Sequence, residues 1–238
     1  SGRGYLASYQ SEETAEITGI LNNNTTFSVN LPFAWSDPLL KYFHLLGNPF
    51  PFDMKLENFT WWHTVEGFAI VNAEGGYDYS TDGLIKTIPA GDGFFVKATG
   101  DNPSLSYTHK ARSSQEKANS INVIASGKAG KDNVVVNFAG QAEGFNKLQN
   151  FNDAIATVYV SENGKNYGIA NVDENTTEVA LNFDAKEMGS YTISLDINGE
   201  FETVTLVDRF TGVETDMLVE NEYSFIASAD DNVNRFVI

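Results

Sequence analysis

Short runs of apolar or alternating residues recur along this chain, each closed within a few positions by Gly, Asn, Asp or Pro. Phe27 to Leu31, Phe68 to Asn72, Leu84 to Ile88, Phe94 to Ala98 and Leu105 to Thr108 are such runs. Ala73-Glu74-Gly75-Gly76, Ala90-Gly91-Asp92-Gly93 and Gly100-Asp101-Asn102-Pro103 punctuate them. Segments this short suit strands, and several at close spacing predict an all-β sandwich or barrel. The 17 Phe, 10 Tyr and 3 Trp, with recurring Asn, Thr and Gly, favour pleated strands and tight turns in the same way.

A chain of 238 residues can form one large or two ordinary domains. The stretch "HKARSSQEKANS" (109–120) is polar and has no apolar period, so it reads as a boundary. The predicted organisation is two β-sandwich-like domains in tandem with very little helix. The first, aromatic-rich, covers 1–110; a linker covers 111–118; a C-terminal sandwich covers 119–238. Within the second, "YTISLDINGEFETVTLV" predicts a type I′ hairpin turning at Asn198-Gly199. That register sets Ile193 against Val204, Tyr191 against Leu206, Leu195 against Glu202 and Ile197 against Glu200. The terminal "NRFVI" alternates, placing Phe236 and Ile238 opposite Arg235 and Val237.

Lys and Arg total 15 against 32 Asp and Glu, a net charge of −17. That field repels phosphate, so nucleic acid is excluded as a partner and anionic lipid is disfavoured. No apolar run reaches the length of a membrane span. The absence of Cys excludes disulfides, thiolate metal sites and cysteine nucleophiles. "SGRGYLASYQ" opens in mid-pattern, as a fragment of a longer parent would.

Motifs for catalysis are missing. His44, His63 and His109 stand apart without ligand spacing, and neither His-Glu-x-x-His nor Gly-x-Ser-x-Gly occurs. "GKAGKDN" (127–133) resembles a phosphate loop, but its glycines are too close and Asp132 stands where Ser or Thr must hold magnesium. "GDGFFV" lacks the third glycine of a dinucleotide fingerprint. Both read as turns. No catalytic residue, cofactor or metal is predicted, and the chain reads as a non-enzyme.

Two constellations have binding chemistry. Trp61-Trp62-His63 follows Phe59, and adjacent aromatic rings offer apolar faces for a sugar ring. In a strand the two tryptophans face opposite ways, so one is expected in the core and the other outside. The acidic loops "YDYSTDG" (77–83) and "SADDNVN" (228–234) bring Asp and Asn oxygens together as calcium wants. They lack EF-hand spacing, so Asp78, Asp82, Asp230 and Asp231 read as solvated turn residues.

"GRGYLAS", "ITGILNN", "LLGNPFP" (45–51) and "IPAGDGFFVKATG" (88–100), in that order, resemble a pattern from large secreted and surface proteins of the Bacteroidetes. From 131 onward the likeness continues. "DNVVVNFAGQAEGFNKLQNFNDA", "YGIANV", "GSYTISL", "VTLVDRFTGVETDML" and "YSFIASADDNVNRFVI" are similar to a β-sandwich near the C-termini of the same proteins. Its marks are a GYT-like strand, an L-x-D-x-x-T-G turn, a Y-x-F-x-A strand and a terminal RF-x-L strand. In this chain the last ends in Ile238, and any sorting tail after it is absent or removed.

The resemblance implies a non-catalytic structural or adhesion-type region of an extracellular or cell-surface protein. Its implied partners are upstream domains of the parent chain, with a glycan or a host or cell-surface protein as the external one. The alternative is a carbohydrate-binding module presenting an exposed tryptophan. The resemblance also bears on residues 37–47. There Asp37-Pro38, the spacing of Leu39, Leu40, Phe43 and Leu46, and Gly47 signal a helix by local rules. The corresponding segment in the pattern is extended, so a strand is expected over 42–47, where Gly47 would permit an unusual φ. Asn48-Pro49 and Phe50-Pro51 would then form a rigid corner.

Overall fold

The structure is a computed structural model that describes residue 4 and residues 22–32, 42–81, 87–109, 118–140 and 142–238. The described residues are all-β. They contain no α-helix, and their one helical element is the 3-10 turn Leu56–Asn58. No helix among them is long and apolar enough to cross a membrane. The predicted linker 111–118 lies outside the described residues except at Ala118, as do the first part of the 37–47 helix signal and residues 84–86 of one expected strand.

The chain divides into two compact units, Ser1–Ile70 with Lys86–Gln115, and Val71–Ile85 with Glu116–Ile238. Strands β1 (Thr26–Asn30), β2 (Phe43–Gly47), β3 (Met54–Lys55), β4 (Phe59–Trp62), β5 (Phe68–Val71), β6 (Tyr77–Ser80), β7 (Thr87–Ile88), β8 (Gly93–Lys97) and β9 (Ser104–Thr108) come first. In the first unit β9 pairs antiparallel with β1 and β4, and β8 with β2 and β5. A short β3–β7 ladder completes it. Their apolar faces enclose Leu46, Phe50, Phe59, Phe68, Phe94 and Tyr107.

Residues 43–47 are extended, as the resemblance implies, because β2 finds a partner in β8 along its whole length. The corner after it is held by Asn48. Its Nδ2 donates to the carbonyls of Phe52, Ile88 and Pro89, and its Oδ1 accepts from the Phe50 N–H. Phe50 is buried and stacks on Phe52 at 4.9 Å. Gly47 does not use the conformational freedom it would permit, and the positive φ beside β2 is that of Tyr42, at 79°.

The second unit holds β6 together with β10 (Ser120–Gly127), β11 (Gly130–Asn137), β12 (Phe145–Asn146), β13 (Thr157–Glu162), β14 (Lys165–Asn171), β15 (Ala180–Asp184), β16 (Gly189–Asn198), β17 (Thr205–Asp208), β18 (Val213–Asp216), β19 (Glu222–Ala227) and β20 (Phe236–Val237). One sheet runs β18-β17-β20-β15-β13-β14-β11-β10-β16-β19, with β12 beside β14. It rolls over on itself. Phe236 of β20 packs on Phe225 of β19 at 4.8 Å, and Phe183 of β15 meets both Tyr191 of β16 and Phe225. Val123, Val134, Val158, Leu181, Ile193 and Leu206 lie in the core thus enclosed.

The hairpin expected at Asn198-Gly199 does not form. Both edges of β16 are taken, by β10 (Ile193 opposite Ala125) and by β19 (Ile193 opposite Tyr223). Leu206 pairs with Thr215 in β18 instead of with Tyr191. A type I′ turn needs positive φ at both central residues, and here Gly199 alone has it, at 104°. The same dipeptide does make such a turn elsewhere. Asn163 and Gly164, with φ of 51° and 74°, join β13 to β14 where Glu162 faces Lys165.

β11 explains why the second unit includes β6. A strand with one wet face alternates, but Asn133, Val134, Val135 and Val136 are all buried. Val134 and Val136 face the core of the rolled sheet, while the opposite face is covered by β6. Asn133 acts there as a surrogate strand edge. Its Oδ1 accepts from the Tyr79 N–H and its Nδ2 donates to the Tyr79 carbonyl, at 2.8 and 2.9 Å. The Tyr79 hydroxyl accepts from the Leu148 N–H at 2.7 Å, and Gly168 leaves room for its ring. Burial, reinforced by the Asp132 carboxylate, pushes the Tyr79 hydroxyl well above its ordinary pKa.

Candidate functional site

The aromatic triplet sits at the end of β4. Thr60, Trp61 and Trp62 pair with Ser106, Leu105 and Ser104 of β9, so consecutive side chains alternate between the core and the outer face. Trp61 packs on Phe59 at 5.2 Å and joins the core of the first unit. Trp62 points the other way and is 59% exposed. In a continued strand His63 would return to the inner side. Instead it takes a positive φ of 51°, which bends the chain and stacks its ring against Trp62 at 4.8 Å.

A turn holds His63 in that pose. Its Nδ1 contacts the Asp101 carbonyl, and its own carbonyl accepts from Thr99 N–H. Gly100 lies beneath the imidazole, and an added Cβ there would come 3.1 Å from His63 Cγ. The result is an exposed indole with a neighbouring imidazole fixed beside it. Such a pair offers an apolar face and an adjacent polar nitrogen, which is the chemistry of a sugar contact.

The acidic loops are arranged differently. Asp78 accepts from Asn72 Nδ2 at 3.1 Å and faces Lys131 Nζ at 3.9 Å. Asp231 accepts from the Ser228 N–H, closing the turn that precedes β20, while Asp230 donates its N–H to Ser228 Oγ. Asp82 lies outside the described residues. Among the described residues no three carboxylate, imidazole or thiol groups gather as a metal site.

Two ionic constellations in the second unit escaped the reading of the sequence. Arg235, expected on an alternating strand, is buried at the foot of β20. Its guanidinium grips Asp208 through two hydrogen bonds, donates Nη1 to the Ile226 carbonyl, and lies over the Phe225 ring. Asp208 also accepts from the Phe210 N–H and the Tyr223 hydroxyl. Burial alone would raise the Asp208 carboxyl, but the bonds from Arg235, Phe210 and Tyr223 outweigh it and hold the group below its ordinary value. Phe236 belongs to the core cluster and Ile238 packs against it while Val237 does not, so the expected alternation holds, with Phe236 and Val237 buried on opposite faces.

The second constellation involves Asp132 of "GKAGKDN", a stretch whose Lys128-Ala129 turn joins β10 to β11 and whose last four residues begin β11. Lys147 Nζ sits 2.8 Å from Asp132 and also donates to the Asn133 carbonyl, while Asp132 accepts from the Val158 N–H. Burial pushes Asp132 up and Lys147 down, and their mutual attraction opposes both shifts. The available signal was compositional. A charge inside a Val-rich run must be paired where the run is buried on both faces.

Comparison with models of known protein families, with curated proteins and with solved structures finds no match to this chain.

Proposed function

We propose that the chain is a non-catalytic structural or adhesion-type region of an extracellular or cell-surface bacterial protein, as its resemblance to C-terminal regions of Bacteroidetes proteins implies. One observation carries this reading. The strongest ionic groups of the second unit are buried and saturated by each other and by the backbone. Asp208, Arg235, Asp132 and Lys147 tie strands together. Burying charge is tolerable only when pairing is this complete, and the return is a single, fixed arrangement of strands.

A second reading, a glycan contact at Trp62 and His63, is favoured by the exposed stacked pair at the end of β4. A glycan array probed with the wild type and with Trp62→Ala separates the two. The scaffold reading expects identical array profiles and a negligible change in melting temperature. A glycan signal lost in Trp62→Ala, with folding intact, would replace it by the second reading.

A further inference from the structure

Of the two buried ion pairs described above, only Lys147 with Asp132 contains a latent nucleophile. A guanidinium stays protonated, whereas a buried lysine can give up its proton and become an amine. The Asp132 side chain is fully buried and that of Lys147 is 5% exposed. Lys147 Nζ lies 2.8 Å from each oxygen of the carboxylate. Equal distances place the nitrogen opposite the carboxyl carbon instead of at one oxygen. We propose that Lys147 and Asp132 condense to an amide, a covalent cross-link between the segment after β12 and strand β11.

Both reactants are held from their backbones. Asp132 sits in the ladder opposite Ala125 of β10, and the Lys147 N–H donates to the Asn166 carbonyl of β14. The amine also lies over the Tyr79 ring, 4.4 Å from its centre. Groups fixed in contact react as if at an effective concentration on the order of 10⁵ M or more. A proton passes from Nζ to Oδ1 along their hydrogen bond, leaving a neutral amine and a carboxylic acid. Burial favours that neutral pair, since it pushes Asp132 up and Lys147 down. The nitrogen lone pair then bonds to Cγ and the Cγ–Oδ1 bond breaks. Oδ1 leaves as water, taking a second proton from the nitrogen, and nothing is oxidised or reduced. The Val158 N–H, 2.8 Å from Oδ2, stabilises the negative charge that gathers there during attack. In the product Oδ2 is the amide carbonyl and keeps that bond. The remaining N–H keeps the bond that Nζ already makes to the Asn133 carbonyl, at 2.6 Å. Both polar groups of the new amide are thus satisfied by existing partners.

The test is the mass of the full chain, kept folded at neutral pH and then denatured for intact-protein mass spectrometry. Wild type should be one water lighter than its sequence requires, and Lys147→Arg should have its full sequence mass. Trypsin needs a free lysine, so it should pass over Lys147 and leave 132–165 as one peptide. Further cleavage after Glu143 should yield two pieces that remain joined. If Lys147→Arg does not fold, the wild-type peptide map decides alone. The proposal is overturned if wild type has its full mass, or if trypsin cuts it fully after Lys147. It is equally overturned if Lys147→Arg also lacks a water, or if the missing water maps to another residue, as cyclisation at Asp92-Gly93 would give. The mass reading is independent of the glycan array, so the failure of one leaves the other standing.

Discussion

Arg235 donates Nε and Nη2 to opposite oxygens of the Asp208 carboxylate, at 3.0 and 2.7 Å, with both side chains buried. The contact joins the turn after β17 to the final strand, two segments that are far apart in sequence. It makes one physical unit of the "LVDRFTG" and "NRFVI" stretches. Thr211 and Gly212 complete the turn, Gly212 with a φ of 73°.

Breaking one side of this pair leaves the other charge buried without compensation. Asp208→Asn or Arg235→Met alone should each destabilise the second unit by roughly 3–5 kcal/mol. The double substitution should cost much less than the sum of the two. A double-mutant cycle on urea midpoints measures the coupling, and additive single costs would show that the contact is incidental.

The same pair sets a pH dependence. The folded Asp208 carboxyl lies below its ordinary value, so folding favours the ionised form. Its contribution is complete above the unfolded carboxylate pKa, about 3.9, and is lost as pH falls through the lower folded value. The stability gap between wild type and Asp208→Asn should therefore hold from neutral pH down to the carboxylate range and close below it. A gap that widened with acid would contradict this assignment.

Tyr79 anchors β6 through its backbone, its hydroxyl and its ring. Tyr79→Phe keeps the ring but leaves the buried Leu148 N–H unpaired, at a cost of roughly 1–3 kcal/mol. Gly168→Ala should be at least as harmful, because the new methyl would land on the Tyr79 ring. Thermal melts of the two variants check this. If Gly168→Ala is neutral, the ring is not seated against β14.

The two Asn-Gly dipeptides should respond differently to alanine. At Gly164 the added methyl meets open space, so the cost is the strain of positive φ alone, roughly 1 kcal/mol. At Gly199 the methyl would also collide with the Asn119 side chain. Gly199→Ala should therefore be the more destabilising of the two in denaturant unfolding. The reverse order would restore the hairpin picture for 198–199.

At the corner after β2, Asn48→Ala removes the donor to three carbonyls and the acceptor for the Phe50 N–H. The expected loss is roughly 1–3 kcal/mol from the first unit. Asn48→Asp should be no better, because a carboxylate would face those same carbonyls. Full stability in either variant would show that the prolines alone hold the corner.

The sequence by itself determined the all-β class, because runs bounded by Gly, Asn and Pro are too short for helices and alternate as strands do. It also determined that one tryptophan of the pair would face outward, since side-chain direction in a strand follows from position alone. Tertiary structure decided what depends on which strands meet. Local rules read 198–199 and 163–164 alike, yet only the second closes a hairpin, because β16 is already paired on both edges. Over 43–47 the helix signal likewise yielded to strand pairing, since β8 offers β2 a full ladder of partners. The burial of Arg235, Asp132 and Asn133 was not legible for the same reason. Each is satisfied by residues distant in sequence, and a polar side chain reveals its burial only when the partner that makes burial affordable is in place.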